Sequence, residues 1–250
     1  MRKLPLIGAL AAVLALAIAA VAYAQTQTNT YSVTASTKPT KAGTKSKPVP
    51  VGITFDYTVG EANGLRPSPI VGYSILFGGV QFNGADFPKC TAAQINAAGT
   101  DKSCPSGARV GSGNVENQTG ATPNTADKSL ACHLDLTIYN GGKGHLALYL
   151  LGGAPTCPIS ISVAIDAKLA KKSSGTAIQF PVPPGLVHPI PGFDNAVVQT
   201  VSTLPKRVSK GTGFQESTGG CKGKKRLVSV TFTAENGASS TASTTATCTA

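Results

Sequence analysis

Between Val49 and Val59 the chain alternates without a break. Val49, Val51, Ile53, Phe55, Tyr57 and Val59 fall on one side, and Pro50, Gly52, Thr54, Asp56 and Thr58 on the other. A period of two sustained over this length predicts a strand with one buried and one wet face. Shorter runs of the same kind predict strands at 31–36, 70–77, 108–116, 134–138, 146–150, 159–169, 176–182, 197–204, 227–235 and 238–248. The polar stretch 117–130 reads as a loop, and the prolines of 180–192 as an irregular extended crossing. Thr91 starts and Gly99 stops the single helical signal, placing one short helix near 91–98. About ten strands and one helix, with no repeat and no internal linker, predict an all-β fold of β-sandwich or jelly-roll-like architecture. The domain so defined spans 49–250. Residues 25–48 precede it as a polar, Thr/Lys-rich segment carrying a candidate first strand at 31–36.

Two hairpins give the cysteines geometric meaning. The runs 134–138 and 146–150 should pair about Asn140-Gly141-Gly142-Lys143-Gly144, with residues 140 and 145 facing each other. Likewise 227–235 and 238–248 flank Asn236-Gly237, a dipeptide suited to a two-residue type I′ turn with 235 facing 238. Each register brings one cysteine of a pair to within a short loop of the other. Sequence alone leaves several pairings open. Local geometry favours the sequential set Cys90–Cys104, Cys132–Cys157 and Cys221–Cys248. Zinc is the competing reading of the cysteines, but none stand at the two-to-four-residue spacing common in structural zinc sites. No metal site and no cofactor is expected.

The compartment follows from the first 24 residues. Met1-Arg2-Lys3, an apolar run from Leu4 to Val21, and Ala22-Tyr23-Ala24 have the layout of a cleaved secretory signal with the cut between Ala24 and Gln25. Failure of that cut would leave an uncleaved anchor. After cleavage no stretch is long enough to span a bilayer, and an even cysteine count suits an oxidising environment.

Charge narrows the partners. The formal net charge is +11, and removing Arg2 and Lys3 leaves about +9, nearly all of it lysine. Lys206, Arg207 and Lys210 form one basic stretch, and Lys222, Lys224, Lys225 and Arg226 a second beside Cys221. Both read as a basic patch attracted to anionic polymers such as teichoic-type wall polymers, or simply as solvated surface. Lys168, Lys171 and Lys172 form a further run. Aromatics are nearly absent beside these clusters, which argues against specific nucleic-acid binding, and the absence of tryptophan argues against a sugar-stacking platform.

Catalytic chemistry finds little foothold. His133, His145 and His188 form no His-x-x-x-His or Cys/His cluster, and Gly111-Ser112-Gly113 lacks the Gly-x-Ser-x-Gly spacing of a nucleophile elbow. Asp56, Glu61, Asp135 and Asp166 are scattered in or beside strands and read as wet-face residues. Asn117-Gln118-Thr119 matches a glycosylation sequon, a tripeptide common by chance.

Tyr31–Val33, Lys41–Thr44, Phe55–Val59, Phe87-Pro88-Lys89-Cys90 and Cys104-Pro105-Ser106-Gly107 leading to Val110-Gly111-Ser112-Gly113 stand in an order that resembles a group of uncharacterised secreted β-rich proteins of high-GC Gram-positive bacteria. The resemblance covers residues 30–116 and implies a bacterial extracellular β-domain, with no functional residue to carry over. The expected function is a secreted, non-catalytic binding or structural module at the cell surface or in the extracellular space, engaging an anionic envelope polymer or a protein. The alternative is a secreted hydrolase, which would show a cleft where one of the three histidines meets an acid and a hydroxyl.

Overall fold

The computed structural model describes residues 28–122 and 124–249. The leader 1–24, with the cut between Ala24 and Gln25, lies outside the described residues. The strands are β1 (Asn29–Lys38), β2 (Val49–Pro50), β3 (Gly52–Glu61), β4 (Ile70–Gly78), β5 (Val80–Phe82), β6 (Arg109–Ala121), β7 (Leu130–Gly142), β8 (His145–Gly152) and β9 (Ile161–Lys172). They continue with β10 (Gly175–Pro181), β11 (Phe193–Leu204), β12 (Val208–Ser209), β13 (Thr212–Gly213), β14 (Gln215–Ser217), β15 (Cys221–Lys222), β16 (Lys225–Ala234) and β17 (Ser239–Thr247). Two helices interrupt them, α1 (Ala92–Ala98) and the one-turn α2 (Pro184–Val187).

The long strands form one antiparallel sheet in the order β1-β3-β11-β6-β7-β8-β9-β10-β4-β16, with β15 and β17 both on β16. The sheet curls until its two ends meet. Tyr31 of β1 stacks on Phe232 of β16 with ring centroids 4.3 Å apart, and beyond β1 the Ala42 amide donates to the Thr249 carbonyl at 2.7 Å. Closing the curl covers edges that would otherwise offer unpaired backbone to other chains. Across the interior, Phe55 and Tyr57 of β3 face Phe77 and Tyr73 of β4, each pair 5.5 Å apart. The all-β class with one short capped helix is thus as the alternation predicts. A single curled sheet, folded over its own apolar face, supplies both layers of the core. Small sheets β2-β14-β5 and β12-β13 complete the fold.

Alternation sets the core directly. Val51, Ile53, Phe55, Tyr57 and Val59 are all buried, and the strand at 31–36 extends to all ten residues of β1, paired with β3 throughout. The α1 helix begins at a capping box between Thr91 and Gln94 and ends at Gly99 in the left-handed region, φ 64°. It packs Ile95 and Ala92 onto Tyr139, Ala147, Tyr149 and Ala164 of the sheet's outer face, making a second small core. This explains why β8 is apolar on both faces, where a half-wet strand would alternate.

Three local readings change. The stretch 117–130 is not all loop: β6 runs to Ala121, Asn117 and Thr119 are buried, and the Asn117 amide donates to the Cys132 carbonyl at 3.0 Å, which leaves no free sequon. The β7–β8 turn is Lys143-Gly144 between Gly142 and His145, and a bulge at Gly141 precedes it on β7, so Asn140 faces Leu146 and not residue 145. Asn140 is drawn out of the turn because its buried side chain holds the carbonyls of Gly84, Phe87 and Pro88. At the β16–β17 hairpin, Ala234 bonds Ala238 around the three-residue loop Glu235-Asn236-Gly237, with Gly237 at φ 84°. Glu235 joins the loop and the left-handed glycine closes it, a three-residue turn in place of a type I′ pair, which shifts the register by one. The shift sets Cys248 beside Lys224, whose carbonyl accepts the Cys248 amide at 3.0 Å.

Disulfides join Cys90 to Cys104, Cys132 to Cys157 and Cys221 to Cys248. The first pins α1, the second ties the start of β7 to the loop before β9, and the third fixes β15 beside the end of β17. Three bridges fit an extracellular protein. Among the described residues no helix is long and apolar enough to cross a membrane.

Candidate functional site

In an antiparallel run, alternate turns emerge at the same end of the sheet. The β7–β8 turn carries Lys143, and the β9–β10 turn carries Lys171 and Lys172. The end of β4 and the start of β16 reach the same end, because Gly175 pairs with Gly78 and Val228 with Phe77. Here the turns surround an open cleft of about 1520 Å³, lined by Lys45, Lys143, Lys171, Lys172, Lys222 and Lys225. Asp86 is the one acid on its wall. All six lysines are exposed, and among the described residues none of them makes an ion pair.

Glycine lets the walls come this close. A Cβ on Gly79, which sits at φ 61°, would lie 2.1 Å from the Gly219 carbonyl oxygen, and one on Gly175 would lie 2.1 Å from that of Phe77. Backbone therefore packs on backbone at the cleft floor. The Gly79 amide donates to the Ser174 carbonyl at 2.7 Å, and the Thr218 amide donates to the Gly79 carbonyl at 2.8 Å. These bonds lock the β9–β10 turn and the 218–220 loop side by side, and the Cys221–Cys248 bridge holds the adjoining Lys222 strand. The cations stand on fixed turns, so a ligand spends little ordering entropy on the backbone.

The seven residues read from sequence as a basic patch take different places in the fold. Lys222 and Lys225 line the cleft, and Lys224 is exposed on the turn between them. Lys206, Arg207 and Lys210 lie on the β11–β13 segment, outside the cleft lining. Arg226 is buried, at 0% exposure. It shares the inward side of β16 with Val228, Val230 and Phe232. Its Nη2 donates to Ser217 Oγ and to the Gly219 carbonyl, while Nε and Nη1 have no partner. Burial pulls this guanidinium below its ordinary value. Sequence reading missed the convergence of Lys45, Lys143, Lys171 and Lys172 with the second cluster. The available signal was the parity of the hairpin turns.

The histidines find carboxylates. His133 Nδ1 is 2.6 Å from Glu116 and its Nε2 is 3.7 Å from Asp135. His145 Nδ1 is 3.1 Å from Asp166. His188 lies between Asp194 at 3.1 Å and Glu235 at 2.5 Å, and its hydrogen bond to Glu235, with lesser help from Asp194, raises its pKa. Asp194 also pairs at 3.3 Å with the buried Arg66, a network that fastens the loop after β3 to β11. Among the described residues none of the three rings bonds a serine or threonine hydroxyl, although Ser74 and Thr231 line the same groove as His145 and Asp166. Of the acids, Asp135 and Asp166 are exposed, but Glu61 is buried and accepts from the Asn63 and Leu65 amides, closing a turn and not wetting a face. No group of three or more metal-ligating side chains occurs among the described residues.

A shallower groove of about 540 Å³ lies on the outer face of the same strands, lined by His145, Asp166, Lys168, Gln179, Ser74 and Thr231 among others. Comparison of the chain with protein-family models, with curated proteins and with solved structures finds no match.

Proposed function

We propose that the protein is a non-catalytic binding module of the bacterial cell surface or extracellular space, and that its ligand is an anionic polymer held in the lysine-lined cleft. The observation that carries this reading is the gathering of six lysines from four separate turns, none in an ion pair among the described residues, around one cleft whose wall holds a single acid. Lysine ammoniums are point charges suited to diffuse anions such as phosphate groups. Among the described residues Phe82 is the one aromatic side chain lining the cleft, short of the series of rings that single-stranded nucleic acid or sugar chains stack on. The hydrolase alternative has an acid beside each histidine but, among the described residues, no serine or threonine hydroxyl bonded to any of the three rings.

The test is binding of the disulfide-bonded chain to a linear polyphosphate and to a neutral glucan of matched length, followed by a salt titration. Polyphosphate binding that weakens steeply with salt is expected, as counterion release requires. The double variant Lys171→Glu, Lys172→Glu should weaken it about tenfold or more. Equal affinity for the neutral glucan, or an unchanged affinity in the double variant, overturns the reading.

A further inference from the structure

The cleft and the shallow groove lie on one surface. Cross-strand register aligns Lys172 with Gly175 and Gly78, then Ala170 with Ala177, Leu76 and Ser229, then Lys168 with Gln179, Ser74 and Thr231. The first of these rows belongs to the cleft and the third to the groove. The middle row is the floor between them. It carries no charge and its side chains are small or half-buried, with Ala177 at 2% exposure. Residues directly opposite each other point to the same face, so the three rows present one continuous track.

We propose that this track holds a linear chain of closely spaced phosphate monoanions that enters at the six-lysine cleft and continues across the Ala170–Ala177 floor to Lys168. The inference rests on the cleft being the anion site and adds to it the form of the ligand and a second contact point. Lys172 and Lys168 are four residues apart on β9, a span of about 13 Å at strand rise. A compact anion reaches only the cleft. A polymer spans both. Asp166, the acid of the groove, is engaged by His145 Nδ1 at 3.1 Å, leaving the exposed Lys168 ammonium as the end of the track. The Ala170–Ala177 floor excludes nothing by bulk and carries no aromatic ring; Phe82 lines the cleft and the mutually stacked Tyr73 and Phe180 line the groove, so successive bases would find no ring on the floor between them, which favours polyphosphate or a poly(glycerol phosphate) over nucleic acid.

The experiment measures affinity and salt dependence of tripolyphosphate, long-chain polyphosphate, poly(glycerol phosphate) and oligo-dT, the last three matched in phosphate number. The proteins are the wild type, Lys168→Gln, Ala170→Tyr, and the Lys171→Glu, Lys172→Glu double variant. Melting curves confirm that each is folded. Lys168→Gln is expected to weaken the two long polymers about two- to fivefold and to lower their log–log salt slope by about 0.7, with tripolyphosphate unchanged. Ala170→Tyr, which raises the floor, should do the same to the long polymers only. If Lys168→Gln and Ala170→Tyr leave the long polymers unaffected while the double variant abolishes all binding, the track is wrong and the cleft stands. If tripolyphosphate weakens as much as the polymers in Lys168→Gln, the lysine acts through the general field and the track is wrong. Polymers that ignore the double variant remove the cleft and the track together. Oligo-dT binding tighter than either non-nucleic polymer overturns the choice of ligand.

Discussion

Asn96 is the side chain whose loss should expose how the sheet ends where β10 stops short. β10 pairs with β9 only over Lys168–Lys172, so the earlier half of β9 has β8 on one side and no strand on the other. At Ala164 the α1 helix fills that place. Asn96 Nδ2 donates to the Ala164 carbonyl at 2.8 Å, and the Ala164 amide donates to Asn96 Oδ1 at 2.7 Å, so the side-chain amide stands in for a neighbouring peptide. Asn96→Ala removes both bonds. At about 1 kcal/mol net for each, the loss is about 2 kcal/mol, rising toward ~3 if water fails to reach the buried Ala164 backbone. For a domain of this size that is a fall of roughly 4–8 °C in Tm. Asn96→Asp keeps an acceptor for the amide and loses the donor, and should fall between. Calorimetric melting gives the magnitude, and hydrogen exchange at the Ala164 amide gives the place, with protection lost there first. The bare edge should also promote association at high concentration, visible by light scattering. A Tm within 1 °C of wild type, with Ala164 still protected, would refute the argument that this edge needs its cap.

Two buried arginines should respond in opposite ways. Arg66→Met takes the guanidinium away from the Ala121, Asn124 and Asp127 carbonyls and leaves Asp194 only His188 and Thr122, and should cost about 3 kcal/mol or more in a urea melt, whereas Arg226→Met removes a buried cation that no carboxylate balances among the described residues and should be neutral or stabilising. Because the pKa of His188 is raised in the folded chain, its contribution is complete below its unfolded value near 6.5 and is lost as pH climbs through the higher folded value. The Tm gap between wild type and His188→Gln should therefore shrink from pH 5.5 to pH 8.5, and a gap that widens contradicts the pairing with Glu235 and Asp194. Replacing Cys132 and Cys157 together with serine opens a loop of sequence separation 25 and should cost about 3.5 kcal/mol by chain entropy, measured as the fall in unfolding free energy extrapolated to water, with the urea slope rising as the unfolded chain expands.

What the sequence displays and what it conceals divide along a physical line. Whether a residue points inward is a matter of parity within its own strand, and parity is local. Val51 through Val59 are read correctly from alternation alone, and Thr91 and Gly99 mark both ends of α1 by capping chemistry that acts over three or four residues. Arg226 obeys the same rule. It stands two residues before Val228 on the inward side of β16, yet beside Lys222, Lys224 and Lys225 it reads as one more surface cation, because counting charge in a run ignores the face each side chain takes. Register is less local. Asn140 and Gly237 each move their hairpins by one position, the first through carbonyls more than fifty residues away in the chain, the second by standing as the left-handed last residue of a three-residue loop that takes in Glu235. The cleft is the least local feature of all. Lys45, Lys143, Lys171 and Lys222 belong to no common motif, and they meet because turns of one parity share one end of a curled sheet. A composition that looks like diffuse positive charge along the chain therefore becomes a focused site only through topology, and the strand order β8-β9-β10-β4-β16 is what places lysines from four separate turns against one glycine floor.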